Sequence, residues 1–228
     1  MPRGLIFDLD GTLVDSLPGI AASLNRALAK LDRSPHPVAK VRSFVGDGSR
    51  VLCQRALGGV GSEAEIDALE SAFKADYAQT WREGTTVFPG VSELLRDLAA
   101  AGHFLAVLSN KPHPFTEEIV TLLFQGVPFA RVLGQHPGLP CKPDPAGALE
   151  IVAASGLPAE AFTIIGDSTM DLETARRANM RSIAVTWGYQ DAQVLTGANG
   201  IANDLSKLAQ ILREDRRSKE DLSPPQCN

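Results

Sequence analysis

The chain has 228 residues, a net charge of −5 and a pI near 5.4, and its lysines and arginines are dispersed rather than gathered into a stripe. That excludes the electrostatic footprint of a nucleic-acid binder. Hydrophobic residues at 44% and charged residues at 21% describe a globular chain with enough length for a sizeable core, and no apolar run approaches the ~20 residues of a membrane span.

The first apolar run, residues 4–7, meets Asp8 and Asp10 at once, so it is no secretory leader. The expectation is a cytoplasmic protein, monomer or homodimer, with a small-molecule partner and neither nucleic acid nor membrane. Cys53, Cys141 and Cys227 form no CxxC pair and read as free thiols. The four histidines, His36, His103, His113 and His136, lack metal-ligand spacing.

Residues 3–7 end in acidic residues and Gly11, the pattern of a buried strand opening into a loop. Residues 15–85 then lack a convincing strand. Ile20, Leu24, Ala27, Leu28 and Leu31 make one apolar helical stripe and Ile66, Leu69, Phe73 and Tyr77 another, with shorter helices around 38–44 and 49–57. Further strands are expected at 104–108, 131–133, 162–165 and 182–186. Helices alternate with them at 91–98, 115–124, 146–154 and 172–178.

The alternation implies an α/β fold: a Rossmann-like parallel sheet core, residues 1–14 and 86–215, interrupted by an all-helical cap at 15–85. Its two linkers, near Asp15 and residues 84–89, would let the cap close over the sheet as a lid. The charged, then Pro-rich, end from Arg213 is expected to fray, with residues 216–228 a flexible tail.

Four segments fall at strand ends: Asp8-Leu9-Asp10-Gly11-Thr12, Ser109-Asn110-Lys111, Lys142-Pro143, and Gly166-Asp167-Ser168 with Asp171. Parallel strand ends converge on one crevice, so several carboxylates, an ammonium and backbone N–H groups meet there. Crowded carboxylates raise one another's pKa unless a cation neutralises them. Mg²⁺, a hard ion that binds a few carboxylates together with substrate phosphate, suits the site, with Asp8 and Asp167 as ligands. Asp8 and Asp10 share a side of the strand end, so one can attack while the other handles a proton. Gly11 opens the first strand end so that loop N–H groups can approach a phosphate.

With these segments in this order, nearly the whole chain resembles the haloacid dehalogenase superfamily. The resemblance implies a Mg²⁺-dependent phosphatase in which Asp8 is the nucleophile that forms an aspartyl-phosphate and Asp10 the general acid and base. It further implies that Ser109 and the backbone around Asn110 hold phosphoryl oxygens, that Lys142 orients Asp8, and that Asp167 and the Asp10 carbonyl join Asp8 on the metal. Asp171 is expected behind the ligands.

The helical insertion, with DLDGTLVDS at 8–16, SNKP at 109–112 and GDSTMD at 166–171, is similar to the phosphoglycolate phosphatase branch. The implied substrate is a small phosphorylated metabolite such as 2-phosphoglycolate. Thr12 stands where the mutases of this subgroup usually have Val. Gly48, at a helix start, and Arg50 are expected to hold the substrate's other anionic group. Asp47, where relatives tend to have Asn, opposes that. A sugar phosphomutase, a pyrophosphatase and a non-catalytic phospholigand-binding regulator are the alternatives.

Overall fold

The structure, a computed structural model, describes residues 3–220. Six parallel strands form one sheet: β1 (Gly4–Phe7), β4 (Phe104–Pro112), β5 (Phe129–Gln135), β6 (Phe162–Gly166), β7 (Arg181–Val185) and β8 (Gly200–Ala202). Their order is β5-β4-β1-β6-β7-β8, with β1 inside. Strands buried on both faces read as unbroken apolar runs, and β1 does: all four of its residues are buried.

Alternation along the pleat splits the core in two. Leu5, Phe7, Leu105, Val107 and Ile165 face one side, where Val91 and Leu95 of α5 (Val91–Ala100) and Leu208 and Leu212 of α9 (Leu205–Glu220) pack. Ile6, Ala106 and Ile164 face the other, against Ala148 and Ile151 of α7 (Ala146–Ser155) and Ala175 of α8 (Thr169–Arg177). The remaining core helix, α6 (His113–Leu123), follows β4 and contributes Ile119 and Val120 to the first cluster.

Four helices intervene between β1 and the return to the sheet: α1 (Leu17–Lys30), α2 (Val38–Arg42), α3 (Ser49–Ala56) and α4 (Glu63–Thr80). Pro18 fits the first turn of α1, where no intrahelical N–H is needed. The α1 stripe of Ile20, Leu24, Ala27 and Leu28 is buried with Ile66, Leu69, Phe73 and Tyr77 of α4, whose start is fixed by a reciprocal Ser62–Glu65 capping box. The expected linkers are joined: β2 (Val14–Asp15) pairs antiparallel with β3 (Thr86–Val87). Departure from the sheet and return to it are thus hydrogen-bonded side by side.

Two expectations are corrected. β4 continues past Leu108 to Pro112, because β5 runs alongside it and pairs as far as Gln135, which places Ser109, Asn110 and Lys111 within a strand. β8, only three residues long, adds an edge strand. α9 runs helical to Glu220, into the segment expected to fray from Arg213. The rest of that expected tail, and Cys227, lie outside the described residues, while Cys53 and Cys141 are free thiols. Among the described residues no helix is long and apolar enough to cross a membrane.

Candidate active site

Successive connections leave β1 toward opposite sides of the sheet, to β4 and β5 on one and to β6 through β8 on the other. Such a switch point opens a crevice at the carboxyl ends of the strands. Phe7 is in register with both Val107 and Ile165, so Asp8 lies one residue, and Ser109 and Asp167 two residues, beyond that level at neighbouring strand ends. The Asp8 N–H donates to the Ile165 carbonyl at 2.9 Å, fixing that level. All three residues line a single cleft shared with residues of the inserted helical segment, together with Asp10, Asn110 and Gly48.

Lys142 reaches this group from the loop before α7. Its ammonium lies 2.8 Å from Asp8 Oδ1 and 2.6 Å from Asp171 Oδ1. The loop is held by Asn110, whose Oδ1 accepts the Lys142 N–H at 2.7 Å while its Nδ2 donates to the Lys142 carbonyl at 3.1 Å and to Gly46 of the cap at 3.0 Å. Asn110 is therefore a clamp as well as a wall of the cleft. Asp171 turns its other oxygen to the Ser168 N–H and hydroxyl, at 3.1 and 2.6 Å, which starts α8. Both Asp171 oxygens thus have protein partners, in keeping with a residue behind the ligands.

The electrostatics are those of too many carboxylates. Oxygens of Asp8, Asp167 and Asp171 lie within 4.8 Å of one another, all buried, with one ammonium, Lys142, between them. Burial pushes the Asp8 carboxyl up to about 7; Lys142 opposes this, and the charges of Asp171 and Asp10 add to it. Burial, then Asp8 and Asp171, raise Asp167 well above the carboxylate range. Burial works against the Lys142 charge, yet Asp171 and Asp8 hold its pKa above the ordinary lysine value. Three carboxylates against one ammonium leave two negative charges uncompensated, and an all-oxygen donor set of that charge fits a hard divalent cation.

Asp167 is boxed by backbone. A Cβ on Gly11, whose φ is +83°, would meet Asp167 Oδ2 at 2.3 Å, and one on Gly188 would meet the same oxygen at 2.3 Å. The Tyr189 N–H donates to that oxygen at 2.5 Å. Glycine at 11 thus supplies both the positive φ and the space.

Asp10 occupies a separate environment. Ser16 Oγ donates to its Oδ1 at 2.5 Å, and Lys111 Nζ lies 3.0 and 3.2 Å from its two oxygens. Lys111 is buried with its ammonium 4.6 Å from the centre of the Tyr77 ring. The two aspartates of DLD therefore have different cations, Lys142 for Asp8 and Lys111 for Asp10.

Several expected contacts are absent. Arg50 does not line the cleft: it lies on the exposed face of α3, with its guanidinium on Glu63 and on Asp67 at 2.5 Å and 3.6 Å from Glu70. Asp47 is held 2.5 Å from Arg55 rather than facing a ligand. Gly11 and Thr12 shape the turn instead of presenting free N–H groups, since Gly11 donates to the Val14 carbonyl at 2.8 Å and Thr12 to the Leu9 carbonyl at 3.3 Å. Thr12 is buried outside the cleft, and its hydroxyl has no partner among the described residues. Exposed ion pairs contribute about 0–1 kcal/mol, so Arg50→Ala and Asp47→Asn should each change KM by less than about three-fold. A ten-fold rise with Arg50→Ala would show that the guanidinium reaches the substrate.

The structure also brings in residues with no expected role. Lys111 had a weak signal: it follows Ser109 and Asn110 in the same segment, but the pairing of β4 with β5 shifts between Leu108 and Pro112, so simple alternation does not place it. Tyr189 had none: from an irregular loop after β7 its hydroxyl accepts the Ser16 and Leu17 N–H groups at 2.8 and 3.0 Å, at the first linker. Arg42 of α2 donates to the Tyr189 and Gly188 carbonyls at 2.6 and 2.9 Å, fastening the cap to the loop that also holds Asp167.

Comparison with known proteins places this geometry. The model of the haloacid dehalogenase-like hydrolases matches residues 5–185. Phosphoglycolate phosphatase of Pectobacterium atrosepticum is 36% identical over 85% of this chain and 84% of its own length. Phosphoglycolate phosphatase of Psychrobacter arcticus is 37% identical over 91% of this chain and 94% of its own. Among solved structures, a predicted phosphoglycolate phosphatase from Haemophilus somnus superposes with a TM-score of 0.85 at 29% identity, covering 92% of this chain and 98% of that one.

Proposed function

Because the chain belongs to the haloacid dehalogenase-like hydrolase family, we propose that it hydrolyses a small phosphomonoester, 2-phosphoglycolate, through an aspartyl-phosphate on Asp8. The observation that carries the reaction class is the buried group of Asp8, Asp167 and Asp171 around Lys142, set at the cleft beside an Asp10 held by a different cation. Pairs of carboxylates in unlike environments mark a division of labour.

An oxygen of Asp8 attacks phosphorus as the bond to the leaving oxygen breaks, and Asp10 gives that oxygen its proton. Glycolate departs. Asp10 then takes a proton from the water that attacks the aspartyl-phosphate, which releases inorganic phosphate and restores Asp8. Lys142 orients Asp8, and Ser109 faces the transferred group. Asp8, Asp167 and the Asp10 carbonyl would hold Mg²⁺, which when bound neutralises the carboxylates and the phosphoryl oxygens.

The cation requirement predicts an unusual stability profile. Asp8 and Asp167 have folded-state pKa values raised above their unfolded values, so between about pH 4 and 7 the native state holds more protons than the unfolded one and stability falls as pH rises. Carboxylates of lowered pKa, such as Glu65 and Asp76, act at lower pH. Thermal melts of metal-free protein should therefore decline from pH 4.5 to 7. At neutral pH, Mg²⁺ at about 100 times its Kd adds about 2.7 kcal/mol, roughly 5–10 °C in Tm for a chain of this size. A metal-independent Tm would contradict the site.

Substrate size follows from the cleft walls. Beyond Asp10, Ile20, Val45, Leu52, Phe73 and Phe115 make much of the lining apolar, with Lys111 and Tyr77 among the few polar side chains, so the many hydroxyls of a sugar would not all find partners, and each buried unpaired hydroxyl costs about 1–3 kcal/mol. Ranked by kcat/KM, 2-phosphoglycolate should exceed hexose phosphates and nucleotides by at least about ten-fold, or 1.4 kcal/mol. A sugar phosphate or pyrophosphate ahead by that margin would move the protein to another branch of the family.

A further inference from the structure

Lys111 is the one basic side chain among the described residues lining the cleft. Its side chain is 6% exposed. An ammonium has three N–H donors, and Asp10, with oxygens at 3.0 and 3.2 Å, can take two of them. Beside it, Tyr77 of α4 lines the same cleft and is 1% exposed; its hydroxyl oxygen interacts with the Lys111 ammonium, while its O–H has no acceptor among the described residues. A buried O–H without an acceptor is destabilising unless something else satisfies it. The surrounding walls, Ile20, Leu52, Phe73 and Phe115, provide nothing.

We propose that Lys111 and Tyr77 form an anion subsite for the carboxylate of the leaving group, the position expected at first of Arg50. This rests on the proposed phosphomonoester chemistry. Asp10 serves the leaving oxygen, and Lys111 is in contact with Asp10, so a carboxylate one carbon removed from that oxygen falls within reach of the ammonium. The third Lys111 N–H and the Tyr77 O–H then bind its two oxygens. Apolar walls strengthen the charge interaction by keeping water away, and charge-assisted hydrogen bonds give it direction.

The subsite spans the two parts of the molecule. Lys111 belongs to β4 of the sheet and Tyr77 to α4 of the cap, so a carboxylate held by both also holds the cap in place. A neutral leaving group gains no such hold.

The test uses two non-hydrolysable ligands, 3-phosphonopropionate and propylphosphonate, which share the phosphonate and differ in whether the tail ends in a carboxylate or a methyl. Their Kd values are measured by titration calorimetry with Mg²⁺ present. Wild-type protein should prefer 3-phosphonopropionate by at least about ten-fold, the preference should fall to about two-fold in Lys111→Met, and Tyr77→Phe should reduce it several-fold. A wild-type preference near one overturns the proposal, as does a preference unchanged in both variants. A Lys111→Met protein that turns over poorly but retains the preference would make Lys111 a positioning residue for Asp10 and would equally overturn it. If Lys111→Met does not fold, Tyr77→Phe, which removes one oxygen atom, decides alone. Failure of 2-phosphoglycolate as substrate would appear separately, in wild-type turnover, with the phosphonate preference intact.

Discussion

Asp8→Asn is expected to lower kcat by at least about 10⁴-fold, the scale on which loss of a covalent nucleophile is felt. The replacement keeps the volume and an oxygen that can still accept the Leu9 N–H now bound at 2.7 Å, so the fold should persist. Lys142 loses one carboxylate but keeps Asp171 at 2.6 Å. Stability should in fact rise in metal-free protein near neutral pH, because one of three mutually repelling carboxylates has become neutral and Asp8 is the group that burial already pushes up to about 7. Two measurements check this: kcat on p-nitrophenyl phosphate, and Tm without metal compared with wild type. Appreciable turnover would refute covalent catalysis at Asp8, and a large drop in Tm would mean that the Asp8–Lys142 pair supports the fold more than its crowding opposes it.

What the sequence made legible, and what it did not, follows from the range of the interactions. β1 could be read because a strand covered on both faces must be apolar throughout, and Asp8 because an acidic residue ends that run. Asp167 could be placed because parallel topology sends strand ends to one crevice, whereas Lys142 arrives from the loop before α7, several residues past the end of β5. Arg50 failed for a local reason. Residues Leu52, Cys53 and Ala56 form the buried side of α3, which turns Arg50 outward, and Glu63, Asp67 and Glu70 on α4 offer an acidic stripe for it. Both patterns are in the sequence, but which helix faces which is decided only by packing.

Tyr189 and Arg42 represent the other limit. Neither belongs to a motif, and each acts across more than 140 positions in the chain. The paired linkers, two residues each, are shorter than any period a pattern can reveal. Their consequence is functional. Ser16, immediately after β2, stands at the first position before α1 and donates to Asp10 rather than to the helix, so the residue proposed to carry the proton is attached to the point about which the cap would turn.

That attachment shapes the expected behaviour of Asp10→Asn. Hydrolysis of an alkyl phosphate, whose leaving oxygen needs a proton, should fall by about 10²–10⁴-fold, the usual worth of a positioned acid or base. With p-nitrophenyl phosphate the leaving group departs unprotonated, so Asp8 should still be phosphorylated while attack by water stalls for want of a base. Protein quenched in acid should then carry one added phosphoryl group by mass spectrometry, lost on substitution of Asp8. The amide at position 10 can accept from Ser16 or Lys111 but has no charge for the ammonium, and it leaves the Asp8–Lys142–Asp171 group untouched, which is why the first half-reaction should survive. Normal turnover of an alkyl phosphate by this variant would assign the proton transfers to another residue. Absence of any phosphoenzyme with the aryl ester would mean that Asp10 is needed for the attack itself.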